Sequence, residues 1–417
     1  MLRVEVGRGR LIRIFGPAAI NVSKGTIEIL GKQYRSGEKA IVHSMRSYVV
    51  LAIENSVLEI NMGNGASIQE PCGGEEPLNE WLSAVNEIVE QGMGKVVILG
   101  GVDCGKSSFT ILLANKALDK GLKVAVIDSD IGQADIGPPG FISMTLYDRK
   151  VIWMRELEPS IMRFIGDIRP QHHVDKIIYS VKQLMEYAFR EYGVNMVIID
   201  TDGWIQDSHA IDYKGKLIET IMPNAVVVLG NNSWGVFRRY ARVGVRVYEL
   251  GSPLVSRSRS RDERRRLRSE RYRKFLEEAP VKRFRIDDLL LTGLPLFLGQ
   301  EIDPSEVSSI ANAEIHYASK TPDMLHLVTP VQPRALQMDR LREIYGVSKI
   351  RVYSPGFEKG FYVALSDDGF MEYPGIVQEI DFVNRSIAVK TRFDGKPRYI
   401  RFSRIRLTES YAEQLIE

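Results

Sequence analysis

The stretch VVILGGVDCGKSSF, Val96 to Phe109, constrains the fold more than any other part of the chain. An apolar run ends at Gly100, and Gly105-Lys106-Ser107 then opens a segment of helical character. The pattern G-x-x-x-x-G-K-[ST] between a strand and a helix makes a loop whose backbone N–H groups turn inward. The helix N-terminus adds partial positive charge, so a polyphosphate can exchange its water shell for the loop. Gly100, Gly101, Val102, Asp103, Cys104, Gly105, Lys106, Ser107 and Ser108 form the expected cradle. Lys106 is expected to bridge the β- and γ-phosphates, with the Ser107 hydroxyl on Mg²⁺ or another divalent cation.

Around this loop, continuous apolar runs alternate with helical segments: KVVILG, a helix from Lys106 to about Lys120, KVAVID, a helix near 174–191, NMVIID and AVVVLG. Such alternation predicts an α/β domain with a mostly parallel sheet covered on both faces. Short β-type runs with turns precede it (GTIEIL, KAIVH, YVVLAI, SVLEINM), and β-rich segments with turns at Asp367-Asp368-Gly369 and Asp394-Gly395 follow it. The expected organisation is a β-sandwich or barrel over 1–75, a P-loop domain over 76–304 and a β-rich domain over 305–417. QEPCGGEEP reads as the first linker.

The strand after the cradle ends in VAVIDSDIGQADIGPPG. Carboxylates at strand C-terminal ends face the ligand crevice of a doubly wound sheet. Asp128 and Asp130 are two apart, so one can orient a metal-bound water while the other accepts a proton from a nucleophile. A third strand ends in VIIDTDGWIQ, where Trp204 offers a flat face on which a nucleobase can stack.

Charge patterning adds a local signal to a nearly neutral chain of net charge +3. From Arg257 to Lys274, ten Lys/Arg stand against three Asp/Glu, so +7 sits on one anion-seeking stretch. Guanidinium stays charged and its planar fork can hold two phosphate oxygens, which suits such a stretch to phosphate. A solvated helical charge run is the plainer account of several of these arginines. Two cysteines, Cys72 and Cys104, in different contexts argue against a disulfide framework. The adjacent His172 and His173 do not share a face and make poor joint metal ligands. No apolar run approaches the roughly 18 residues of a membrane span, and the N-terminus lacks a signal-type core, so a cytoplasmic protein without membrane contact is expected.

Together these motifs resemble the polynucleotide 5′-hydroxyl kinases. That family includes the RNA kinase subunit of the mRNA 3′-cleavage machinery and the related kinase of pre-ribosomal RNA processing; the likeness here is to an archaeal-type member. DSDIGQADIGPPG is similar to the family's D-x-D-x-G-Q signature, and the resemblance makes Asp130 the catalytic base. DTDGW is similar to N-T-x-G-W, with Asp200 in place of Asn. RFIGDIRPQHH sits where the family has its clasp, with Gln171-His172-His173 in place of Thr-x-Asn. The arginine run resembles the family lid, here over about 255–275, in which Arg259 and Arg264 best fit the spacing and Arg257 and Arg261 offer other registers.

The resemblance implies transfer of the ATP γ-phosphate to the 5′-hydroxyl of RNA, with DNA as a second possible acceptor. Lys106, Asp130, Arg259 and Arg264 would carry catalysis, and Ser107, Asp128 and Asp130 the metal. Gln133, Gln171, His173, Trp204, Arg257 and Arg261 would meet RNA, while Arg268, Arg271 and Arg273 would track its backbone. An RNA-processing protein partner or self-association is expected. Two other classes compete: a non-catalytic ATP-bound scaffold, and a GTP switch, which lacks an N-K-x-D motif at LGNNSW.

Overall fold

A computed structural model of the chain describes residues 1–230, 235–255 and 259–416. Arg257 and most of the LGNNSW segment therefore lie outside the described residues. The chain divides into two compact units: Met1–Gly137, Ile142–Ile161 and Arg169–Arg264 in the first, and Pro138–Phe141, Met162–Ile168 and Arg265–Glu417 in the second.

The first unit begins with two antiparallel sheets. One orders the strands Leu2–Val6, Ser56–Met62, Ala18–Lys24 and Lys39–Val42; the other orders Lys32–Arg35, Thr26–Ile29, Ser47–Ala52, Leu11–Phe15 and Ser67–Gln69. Alternate residues of these strands point inward, and Ile14, Ile20, Ile27, Val50, Leu58 and Ile60 from both sheets fill one core. The segment read as a linker is tied down: Arg13 holds both carboxylate oxygens of Glu76.

The same unit then builds an α/β layer. Six neighbouring strands of its sheet run in the order Phe141–Tyr147, Val124–Asp128, Met196–Asp200, Lys95–Gly100, Ala225–Leu229 and Arg246–Leu250, all parallel except Phe141–Tyr147. Four of these strands are buried along almost their whole length, which explains their unbroken apolar sequences. Asp128 and Asp200 are direct partners in the parallel register, and Asp200 also pairs with Ile98. The registry brings three strand ends level at the mouth of the loop that follows Gly100.

The second unit centres on a β-sheet ordered Val281–Arg285, Ser386–Thr391, Tyr373–Asp381, Phe361–Ser366, Tyr399–Leu407 and Leu290–Thr292, with Glu413–Leu415 beside the fifth strand. A smaller sheet, Gln300–Ile302, Tyr317–Lys320, Met324–Val328 and Lys349–Tyr353, carries the helices Pro304–Ala311 and Ala335–Tyr345. Those two helices were not anticipated in a segment that reads as β-rich. The helix Arg261–Leu276 starts in the first unit and ends in the second. Among the described residues no helix is long and apolar enough to cross a membrane.

Candidate active site

The loop after Gly100 ends at Gly105, which has φ +101°, and the helix Lys106–Asp119 begins at the next residue. A side chain at Gly105 would strain that backbone and meet the Trp81 ring at 2.7 Å. Lys106 is buried and its Nζ donates to the Gly101 carbonyl at 2.7 Å, so the ammonium curls over its own loop. Ser107 Oγ donates to Asp200 Oδ2 at 2.8 Å.

Asp200 is the functional candidate that sequence reasoning passed over, noting it only as a replacement for Asn. Its other oxygen, Oδ1, is buried without a hydrogen-bond partner. Burial raises the Asp200 pKa to about 7, with Lys106 and the Ser107 hydrogen bond opposing the shift. A hydroxyl beside a carboxylate with a free oxygen is a donor set suited to a hard divalent cation.

Asp128 and Asp130 do different work. Asp128 accepts backbone N–H groups from Asp130, Asp135 and Ile136, at 3.2, 2.7 and 3.0 Å, so it organises the loop that follows its strand. Asp130 turns one oxygen to the N–H groups of Gly132 and Gln133, at 3.0 and 2.8 Å. Burial is the first cause of a raised pKa in both; Asp200 adds to it at Asp128, and Asp202 at Asp130.

Gly203 explains how the third strand end joins the site. A Cβ there would fall 2.6 Å from Val102 Cγ2 and 3.0 Å from its backbone, so only glycine lets this turn lie against the phosphate loop. Trp204 follows, half-buried, with its N–H on Asp202 Oδ1 at 2.9 Å and its indole Nε1 on Asp207 Oδ2 at 2.7 Å. Asp202 Oδ2 also accepts from Tyr213 at 3.1 Å and from the fully buried Lys214 at 2.7 Å. Lys214 carried no sequence motif, and Asp202 stood only at the variable position of DTDGW.

Two lid arginines reach the cradle. Arg264 Nη2 lies 3.1 Å from Asp103 Oδ2, and the backbone N–H of Arg259 donates to the same oxygen at 3.3 Å. Arg261 is exposed at the start of its helix, and Gln171 is exposed in the turn Pro170–His172, which His173 follows. Gln133 shares the Asp130 loop. The expectation for the distal arginines needs correction. Arg271 is 2% exposed and lies 5.2 Å from the Phe275 ring, while Arg268 is fixed to Glu413 Oε1. Burial and ion pairing remove both from backbone tracking; Arg273 stays exposed, 3.6 Å from Glu277.

Residues 100–278 match the family model for the mRNA cleavage and polyadenylation factor CLP1 P-loop. The polyribonucleotide 5′-hydroxyl kinase of Pyrococcus abyssi is 33% identical over 331 residues, covering 76% of this chain and 89% of the relative. That of Methanocaldococcus jannaschii is 30% identical, covering 76% and 88%. Among solved structures, wild-type Clp1p in complex with Pcf11p superposes with a TM-score of 0.66 at 13% identity, over 97% of each chain.

Proposed function

We propose a chemical course for a chain that belongs to the polyribonucleotide 5′-hydroxyl kinase family and whose reaction is the ATP-dependent phosphorylation of RNA 5′-hydroxyl ends. The γ-phosphate of ATP lies on the loop of Gly100 to Ser108, against the Lys106 ammonium. Asp130 accepts the proton of the RNA 5′-hydroxyl as the 5′ oxygen attacks the γ-phosphorus. The bond from that phosphorus to the β-bridging oxygen breaks, and ADP leaves. Burial has already raised the affinity of Asp130 for a proton, which brings a carboxylate closer to the strength a general base needs near neutral pH. Arg264, whose guanidinium lies at Asp103, is the cation available to the charge that spreads over the moving phosphoryl group, while Arg259 meets the same carboxylate through its backbone N–H.

Ser107 and Asp200 would hold Mg²⁺, which supplies charge neutralisation at the β- and γ-oxygens when bound. Asp128, with three backbone hydrogen bonds, serves this site by shaping the loop that presents Asp130. Trp204, fixed at both its backbone and indole nitrogens, offers its ring to the terminal base.

The observation that carries this reading is the meeting of Lys106, Ser107, Asp130 and Asp200 where three parallel strands end. Labelled ATP and a 5′-hydroxyl oligoribonucleotide test it. Wild type should yield a labelled 5′-phosphate, and Lys106→Ala should yield none. Wild-type turnover in Lys106→Ala would refute the cradle assignment.

A further inference from the structure

The loop that presents Asp130 ends in a second charged group that the transfer chemistry leaves unused. Asp135 is buried between two arginines: Arg46 Nη2 at 2.5 Å, from the N-terminal sheets, and Arg155 Nε at 2.9 Å. The Trp153 indole lies between the same guanidinium groups, 5.2 Å from each. Arg259 is the third arginine here. Its charge is disfavoured first by burial and then by Arg46, with Arg155 adding to the repulsion and Asp135 and Asp103 opposing it. Asp103, however, already accepts from Arg264. Three guanidinium groups thus share one buried carboxylate.

The unsatisfied hydrogen-bonding groups in this cluster are all donors. Arg259 Nε, Trp153 Nε1 and Tyr48 Oη are buried without hydrogen-bond partners. Tyr48 is only 3% exposed and lies within electrostatic reach of Arg46, Asp135 and Arg259. Leaving a buried donor unpaired is destabilising, and surplus buried positive charge more so. Of the other carboxylates within reach, Glu156 Oε1 is engaged by the N–H groups of Ile152 and Trp153, and Asp200 favours the charge of Arg46 only through space. Surplus cations together with orphan N–H and O–H groups call for an anion rich in acceptor oxygens, which is the chemistry of a phosphate.

We infer that Arg46, Tyr48, Trp153, Arg155 and Arg259 form a subsite for a backbone phosphodiester of the acceptor strand, the one nearest its 5′ end. This deepens the kinase reading and rests on it. Position decides between donor and acceptor. The cluster hangs on the loop that follows Val124–Asp128, five residues beyond Asp130, which takes the acceptor's proton. The strands Ala225–Leu229 and Arg246–Leu250 lie on the other side of the cradle strand. A phosphate docked at Asp135 would fix the acceptor by the same buried loop that presents the base, so its binding energy would orient the hydroxyl.

The test uses a 5′-hydroxyl dinucleotide and its analogue with an uncharged methylphosphonate link, at saturating ATP. In wild type, neutralising the link should raise the acceptor KM about tenfold or more. Arg155→Gln should raise the KM of the normal dinucleotide and shrink that penalty toward one. Tyr48→Phe removes one orphan hydroxyl and no observed bond, so it should fold normally and raise the acceptor KM roughly three- to tenfold, leaving the ATP KM unchanged. An undiminished methylphosphonate penalty in both variants would overturn the subsite. So would a change in ATP KM in place of acceptor KM, which would give the cluster to the donor. Inhibition by inorganic phosphate with no methylphosphonate penalty would leave a free-phosphate site and would also overturn it. Fluorescence polarisation with the same two dinucleotides and no ATP reads the subsite without turnover. If wild type bound them with the expected discrimination and transferred nothing, the kinase reading would fail while the subsite stood.

Discussion

Ser107 Oγ donates a 2.8 Å hydrogen bond to Asp200 Oδ2, joining the phosphate loop to the end of a strand 93 residues further along the chain. The bond fixes the hydroxyl's lone pairs and leaves Asp200 Oδ1 buried and free of other partners. If the pair holds Mg²⁺, Asp200→Ala should weaken Mg²⁺-dependent ATP binding roughly ten- to a hundredfold, by analogy with the loss of a group that orients a ligand. Titrating Mg²⁺ while following nucleotide binding by calorimetry checks this. An unchanged titration would remove Asp200 from the metal shell.

The raised Asp200 pKa also has a consequence for the nucleotide-free protein. A carboxyl whose folded pKa lies above its unfolded value holds its proton more tightly when folded. Its contribution to stability is therefore present below the unfolded value of about 4 and lost as pH rises to about 7. Asp200→Asn keeps an acceptor for Ser107 and never ionises. It should flatten the fall in melting temperature between pH 4 and 7 and be more stable than wild type at pH 8. Asp128 and Asp130, raised in the same direction, should preserve the rest of the slope.

Replacing each of the two loop aspartates by Asn should separate scaffolding from chemistry. Asp130→Asn retains the oxygen that receives the Gly132 and Gln133 N–H groups but is no base. We expect kcat to fall roughly 10²-fold or more with the melting temperature and ATP binding near wild type. Asp128→Asn puts an NH₂ where one of two bonded oxygens stands. It should lower stability as well as activity, because one or more backbone N–H groups lose their acceptor. Equal thermal stability of the two variants would contradict the division of labour.

The α/β core was legible because its strands are buried throughout and therefore apolar throughout, as in VVIL, VAVI and MVII. The cradle was legible because phosphate binding needs glycine, lysine and serine at fixed spacing. Asp202–Lys214 was not legible: a buried ion pair 12 residues apart depends on how a strand end and a helix meet, and nothing local announces it. The Arg46–Asp135 pair is set by a contact across 89 residues and escapes sequence reading for the same reason. The edge strand Val281–Arg285 was missed because VKRFR alternates charge with partial burial, as exposed edges do. The arginine run shows the converse failure. Composition marked ten similar charges, while packing sorted Arg264 to the cradle and buried Arg271.

Asp202 and Lys214 should behave as a unit. Lys214 is completely buried, and desolvation lowers its pKa against the pull of Asp202. Lys214→Met would strand the Asp202 charge and should cost about 3–5 kcal/mol of stability. Lys214→Met combined with Asp202→Asn should recover much of that loss, since no buried charge remains and Trp204 N–H keeps an acceptor. Chemical denaturation of the two single variants and the double variant gives the coupling. Simple additivity would refute the pairing.

The lid arginines should divide by what they touch. Arg264 reaches Asp103 in the cradle, and under the proposed mechanism its guanidinium meets the moving phosphoryl group. Arg264→Lys keeps the charge and loses the two-pronged geometry, so kcat should drop about tenfold or more while ATP affinity changes little. Arg268 is held by Glu413, with two nitrogens on one carboxylate oxygen. Arg268→Lys should lower the melting temperature and leave both kcat and RNA KM in place. Arg261 is exposed, so Arg261→Gln should act through RNA binding alone, raising KM and flattening its dependence on salt. Measuring kcat, KM and melting temperature for all three places each arginine. If Arg268→Lys altered kcat while Arg264→Lys did not, the register of the lid would lie one or more turns further along the helix.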